Sequence, residues 1–528
     1  MAFRDELDGK LPQLASSLSH PAQRTREQLQ LTITGPCSPE HRLIETCIHE
    51  FSAEAKLTNL LSYTPEQNRL SISRDKTFGT QPILELILRL SKSIRDHMGD
   101  FELVVQRLDD LIALATEKFY AFPFKDVPLF WRHLFRAASL LKLSASAVKG
   151  IWGKQFELRG SSLRVPAFNS DQIDEMVKII DMALIMAGPP KCSDTHAAIT
   201  QVLGLLQDIH TLCSDIPPAK KRNFETYSRG LVDEFPESFA FNLPVSHPIP
   251  RMLSPTFDEF EKHLSQSVRA DIGPEPIIIT GALDRWPAYR DRSWSNPNYL
   301  LSRTIGGRRL VPVELGRSYV DEGWGQKVIS FKEFLEQYIL LDPKSSRPVT
   351  GYLAQHNLFT QIPSLRQDIS IPDYCFTSPP PPHHSSPLSE KHSKVPELAE
   401  PLLNAWFGPA GTISPLHTDP YHNILAQVVG RKYVRLYGPR ESRKLYARGV
   451  EAGGVDMENT SEVDIGVLAG WDGTEDEQAA ANGRFPLFKT AEFVDCILEE
   501  GDCLYIPVGW WHYVRSLSVS FSVSFWWN

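Results

Sequence analysis

The sequence is poor in sulfur chemistry: its seven cysteines stand singly, and no CxxC pair occurs anywhere. Isolated thiols in a long chain read as buried and reduced rather than as a disulfide framework, and without CxxC pairs there is no zinc-finger reader. Also missing is any uncharged apolar run long enough for a bilayer, and the opening MAFRDELDGKLPQLASSLSH has no secretory-type apolar core. These absences predict an intracellular protein without membrane association, in the nucleus, the cytoplasm or both. A positive charge excess is lacking as well. The formal net charge is −9, which excludes a whole-surface grip on nucleic acid and suits basic protein partners. The KKR at 220–222 is too short to establish nuclear import by itself.

What is present is ordinary globular material, 42% hydrophobic and 23% charged over 528 residues, too long for one hydrophobic core. Two domains are expected, 1–240 and 241–528. The first reads as helical: apolar residues recur at three- and four-residue spacing in FELVVQRLDDLIALATEKFYAF (101–122) and VPLFWRHLFRAASLLK (127–142). A bundle without a fixed-period repeat, used for binding protein partners, fits this pattern.

Near 240 the texture changes, through the loop-like NLPVSHPIPRM, to short β-branched runs such as PIIITGAL (276–283) and RRLVPVEL (308–315). The closing SLSVSFSVSFWW (516–527) alternates with period two, the mark of a strand with one buried face. Short strands of this kind predict an antiparallel sandwich or barrel, so the fold class is α+β. Two breaks interrupt it. TSPPPPHHSSPLSEKHSKVPE (377–397) reads as a flexible surface insertion, and its His383, His384 and His392 lack the carboxylate or thiol spacing of a metal site. The acidic, Gly- and Ala-rich stretch 450–484 reads as a solvated loop with no assignable chemistry.

In WFGPAGTISPLHTDPYHNILAQVVGRKYVRLYG (406–438), His417 and Asp419 lie two residues apart on extended chain, so they share one face. His512, in PVGWWHYVRSL ahead of the final strand, is placed to supply a third ligand from another strand. Two histidines and one carboxylate leave adjacent positions open, the arrangement of non-haem Fe(II) oxygenases. The tripeptide alone is weak; the second-strand histidine and a nearby lysine strengthen it. In KYVRLY (432–437), Lys432 shares its parity with Val434 and Leu436. It either projects into the buried face, where it needs an anion such as 2-oxoglutarate, or snorkels to water from the turn after Gly430. Tyr352, Ser414 and Asn423 can add neutral hydrogen bonds to that co-substrate, and Trp406 can wall its pocket. His422 is read as a neighbour of the site or a surface residue rather than a ligand.

These segments, with GYLAQHNLFTQIPSLRQDISIPDYC (351–375) and CLYIPVGWWHYVRSLSVSFSVSFWWN (503–528), resemble the JmjC oxygenases over about 240–528. The resemblance implies a double-stranded β-helix of the cupin-like jelly-roll type. It also implies Fe(II) on His417, Asp419 and His512, 2-oxoglutarate against Tyr352, Ser414, Asn423 and Lys432, and O₂ as oxidant. Relatives act as methyl-lysine demethylases or arginine hydroxylases. Glu314, with Tyr319 and Trp324 close in sequence, offers a carboxylate and aromatic faces that suit a guanidinium, unless Glu314 is merely an exposed strand-edge charge. Arginine hydroxylation is therefore the first expectation and histone methyl-lysine demethylation the second, on a protein or peptide substrate, a histone or another basic protein among the candidates. A non-catalytic, metal-containing interaction protein is the alternative of another class.

Overall fold

The computed structural model describes residues 38–61, 81–122, 126–155, 168–190, 192–214, 234–236, 242–266, 272–321, 323–341, 350–451 and 454–528. The KKR of 220–222 lies outside them. Two compact units make up the chain, Met1–Arg222 and Asn223–Asn528.

The first unit is helical, with Gln81–Arg95, Phe101–Tyr120, Leu129–Gln155, Ser170–Ala187 and Ser193–Ser214 as its longer helices. Local chemistry sets their starts. Asp100 accepts from the N–H groups of Glu102 and Leu103, and Asn169 forms a capping box with Gln172. In the WRHLFRAASLLK patch, Leu134, Ala138 and Leu141 pack with Leu108 and Leu111. Arg136 interrupts this apolar stripe for a reason: it is buried and donates to the carbonyls of Ala187 (3.0 Å) and Gly188 (2.9 Å), which close the Ser170–Ala187 helix. No helix among the described residues is long and apolar enough to cross a membrane.

The second unit holds β1 (Arg251–Leu253), β2 (Ile277–Thr280), β3 (Leu310–Leu315), β4 (Gly325–Ser330), β5 (Gly351–His356), β6 (Leu402–Gly408), β7 (Ile413–Thr418), β8 (His422–Val429), β9 (Lys432–Tyr437), β10 (Phe493–Leu498), β11 (Cys503–Ile506), β12 (Trp511–Ser516) and β13 (Ser520–Trp527). They form a nine-stranded sheet in the order β1-β2-β11-β8-β13-β6-β5-β3-β4 and a four-stranded sheet β10-β9-β12-β7. Except for β1 with β2, every pair is antiparallel. Apolar residues from both sheets, among them Ile278, Leu425 and Leu504 with Val434, Leu436 and Val514, form one buried cluster. A second cluster, rich in aromatics, includes Trp294, Phe331, Phe407 and Phe521.

Gly430, at φ +71°, makes the turn between β8 and β9; a Cβ there would meet the Val519 carbonyl oxygen at 1.9 Å. Gly430→Ala is therefore expected to cost at least about 2 kcal/mol, the left-handed backbone penalty plus an immovable clash, seen as a lower midpoint in urea unfolding. An unchanged midpoint would mean that this turn can relax.

Three expectations need correction. β13 buries both faces rather than one, and its serines are satisfied internally: Ser522 donates to Gln427 (2.7 Å), and Ser524 accepts from Trp406 (3.0 Å). The 377–397 stretch lies largely at the surface but is not all loop; it carries the helical turn Ser389–His392 and buries Thr377, Ser386, Leu388 and His392. Proline rings are apolar surface with no N–H to satisfy, so a proline run can pack where composition suggests a loop. The 450–484 stretch contains the helices Ile465–Leu468 and Glu475–Arg484 rather than only a solvated loop. Its Asp472 binds Arg515 through two hydrogen bonds of 2.8 and 3.0 Å and Arg317 at 3.2 Å.

Candidate metal centre

β7 and β12 are antiparallel neighbours, and their register sets His417 directly opposite His512. The two imidazole centroids are 4.2 Å apart. Asp419 follows β7, on the same side as His417 by the two-residue repeat. Its carboxylate oxygens lie 3.8 Å from His417 Nε2 and 3.5 Å from His512 Nε2. The ligand atoms of all three residues fall within 4.8 Å of one another, and this is the only such cluster among the described residues.

Both rings are aimed from behind. His417 Nδ1 donates to the Pro415 carbonyl (2.7 Å) and His512 Nδ1 to that of Trp510 (3.2 Å), leaving each Nε2 lone pair directed at the shared point. Burial, helped by the neighbouring His512, lowers the His417 pKa to about 4, so the ring is neutral and able to ligate near pH 7. Burial alone would raise Asp419, but the neighbouring imidazoles of His512 and His417 outweigh it and hold the carboxyl below its ordinary range. Three ligands with one flank open suit a reactive ion; a closed structural site has four.

The same cavity between the sheets is lined by Tyr352 of β5, Trp406 of β6, Ser414 of β7, Asn423 of β8 and Lys432 of β9. Lys432 is 1% exposed, and no carboxylate among the described residues pairs with it. Its Nζ donates to the Tyr352 hydroxyl at 3.2 Å. Burial drops its pKa to about 7. Asn423 Oδ1 is likewise buried without a partner. A buried amine without a countercharge and an orphaned amide oxygen are the marks of a cavity built for a polar, anionic guest.

The family model described as Cupin-like domain matches residues 268–528. A Danio rerio protein named lysine-specific demethylase 8 is 33% identical over 450 residues, 84% of this chain and 92% of that protein. The chain belongs to the JmjC oxygenase family. The Arabidopsis thaliana lysine-specific demethylase JMJ30 is 46% identical over 253 residues, 48% of this chain and 50% of that one. A human protein named bifunctional peptidase and (3S)-lysyl hydroxylase JMJD7 is 25% identical over 270 residues, 48% of this chain and 77% of that one.

Glu314 of β3 lies opposite Tyr352 of β5. It is largely buried rather than an exposed edge charge; burial raises its pKa, against a hydrogen bond from Trp324. Tyr319 feels the charges of both Asp419 and Glu314, and its hydroxyl reaches Thr460 at 3.4 Å. Trp324 is 39% exposed. Glu314, Tyr319 and Trp324 do not line the metal cavity itself. His422 is buried, its ring bonded to the Tyr505 hydroxyl and the Pro380 carbonyl, and it is not a ligand.

Sequence reasoning missed the apolar lining, Leu425, Ile506 and Val514. Parity could have found two of these, since Leu425 and Val514 stand two residues beyond Asn423 and His512. It also missed Asn459–Ser461, which bonds along β7: Thr418 N–H donates to Asn459 (2.9 Å) and Ser461 N–H to Leu416 (2.8 Å), bracing the strand that carries His417.

Proposed function

We propose that this chain is an Fe(II)- and 2-oxoglutarate-dependent oxygenase that oxidises a C–H bond in a cationic side chain of a protein substrate. The observation that carries this reading is the convergence of His417, Asp419 and His512 beside a buried, uncompensated Lys432. When bound, Fe(II), 2-oxoglutarate and O₂ supply the oxidising power, with the co-substrate leaving as succinate and CO₂. The chain's own residues hold and orient. His417, Asp419 and His512 would keep the ion, Lys432 and Tyr352 would meet the distal carboxylate, and Leu425, Ile506 and Val514 keep the cavity apolar and dry.

The carboxylate of Glu314 beside the rings of Tyr319 and Trp324 supports a cationic target. The names of the relatives favour methylated lysine, the second of the two sequence expectations, over arginine. Arginine hydroxylation rests on Glu314 alone, whose carboxylate can meet a guanidinium through two hydrogen bonds.

One assay separates them. The chain is supplied with Fe(II), ascorbate, 2-oxoglutarate and matched peptides carrying arginine or methyl-lysine, and succinate is followed with peptide mass. Loss of a methyl group with release of formaldehyde supports demethylation; gain of one oxygen on arginine supports hydroxylation. Glu314→Gln is expected to lower kcat/KM for the true substrate about 30-fold, the cost of leaving a buried cation without its partner. An unchanged value would remove Glu314 from the substrate site.

A further inference from the structure

One carboxylate in the 450–484 stretch joins two parts of the site. Asp472 receives both terminal nitrogens of Arg515, at 2.8 and 3.0 Å, and one of Arg317, at 3.2 Å. Arg515 is buried on β12, three residues beyond His512. Arg317 stands three residues beyond Glu314, just after β3, and begins the segment that carries Tyr319. A single acid therefore ties the strand that presents a metal ligand to the chain that presents Glu314 and Tyr319.

Asp472 is held in place independently of either arginine. The N–H groups of Trp471 and Asp472 both donate to the Gly466 carbonyl, at 2.8 and 3.0 Å, and the Trp471 ring packs edge-on against Tyr433 of β9 at 5.0 Å. Gly466 leaves the room for it: a Cβ there would meet Asp472 Oδ2 at 2.0 Å. Arg317 has further partners. Its Nε donates to Asp321 at 3.0 Å, and Nη2 donates to Asp464, whose other oxygen accepts from the Val467 N–H at 3.2 Å. A single partly exposed ion pair would contribute little, but carboxylates from separate turns, met through one planar fork, fix the direction of the chain at Arg317. Two residues on, the Tyr319 hydroxyl reaches Thr460, which pairs with His417.

We propose that Arg317 is a positioning residue for the substrate: clamped by Asp464 and Asp472, it holds Glu314 and Tyr319 where the cationic side chain binds. The inference rests on the reading of Glu314 and Tyr319 as substrate contacts. Arg317 itself does not line the metal cavity. Loss of the clamp frees the segment after β3 but leaves the metal ligands in place, because the register of β7 and β12 sets His417 against His512. The clamp therefore acts on substrate binding and not on the ion or the co-substrate. Asp472 is then a part of the substrate site supplied by a stretch that composition alone marks as a loop.

The test is steady-state turnover of the full chain with Fe(II), ascorbate, 2-oxoglutarate and the arginine and methyl-lysine peptides, beside hydrogen exchange of the peptide-free protein. Arg317→Met, which leaves the Asp472–Arg515 pair intact, is expected to raise the peptide KM about tenfold, the size of effect that a coupled network carries without touching a ligand. Its kcat, iron binding and peptide-free succinate formation should match the unmodified chain, as for a loss of ground-state binding. Arg317→Lys, a point charge in place of the fork, should recover part of the loss. Gly466→Ala, which displaces the Asp472 carboxylate without touching either arginine, should reproduce it. Adding Asp472→Asn to Arg317→Met should raise KM little further, since both act through one network. An unchanged KM in Arg317→Met overturns the clamp, and so does an equal fall in iron binding and peptide-free succinate, which marks a residue that only supports the fold. Where the unmodified chain oxidises neither peptide, hydrogen exchange decides. Faster exchange of the 317–321 amides in Arg317→Met, with 413–418 unchanged, supports the clamp and overturns the assigned reaction; unchanged exchange in both segments overturns both.

Discussion

His417→Ala is expected to abolish 2-oxoglutarate turnover, lowering succinate formation by more than the roughly 100-fold that loss of a residue merely supporting a ligand causes. His417 is one of only three donors in the cluster, and two remaining ligands hold a divalent ion poorly. The fold should survive: a neutral ring on a strand braced on both sides, by β12 and by Asn459–Ser461, is removed without stranding a charge. Thermal unfolding separates the two effects. At about a hundred times the dissociation constant, the metal should stabilise the unmodified chain by about 2.7 kcal/mol, whereas the variant's midpoint should barely move on adding Fe(II). Turnover within tenfold of the unmodified chain would place the reactive ion elsewhere.

Lys432→Met should weaken 2-oxoglutarate about 30-fold or more, with the change in KM for the co-substrate. Breaking a buried charge pair by removing one member costs about 2–5 kcal/mol, because the other is left uncompensated in an apolar cavity. Methionine keeps the length of the side chain, so the loss reports charge rather than packing. The unmodified chain also has a pH signature. Its ammonium form binds the carboxylate, and burial has brought the pKa to about 7 in the free cavity. Affinity is therefore full below pH 7 and falls as pH rises above it, by up to about tenfold per unit. Isothermal titration across that range should show proton uptake on binding, and the methionine variant should lose it. A pH-independent affinity in the unmodified chain would mean that Lys432 does not meet the anion.

The centre of the site was legible because strand geometry is written with period two. His417 and Asp419 declare a shared face by spacing alone, and Lys432 shares a face with Val434 and Leu436, which lie in the inter-sheet cluster. That His512 pairs with His417 across β7 and β12 is not written locally; position before the last strand suggested it, and register supplied it. The misread stretches failed for a common reason. Composition reports polarity residue by residue, but Asp472 is satisfied by Arg317 and Arg515, far off in sequence, and Pro380 by the ring of His422. A segment looks solvated when its partners are invisible. Glu314 shows the same limit from the other side, since its burial depends on strands that a linear reading cannot assemble.

The most direct measurement is an anaerobic titration of the chain with Fe(II), then 2-oxoglutarate, followed by visible absorption and by metal bound per chain. One ion per chain, a charge-transfer band that appears only with the co-substrate, and loss of both in His512→Ala are the expected results. Stoichiometric binding that His512→Ala leaves intact, or no new band with 2-oxoglutarate, would contradict an ion held by His417, Asp419 and His512 with its open flank facing Lys432.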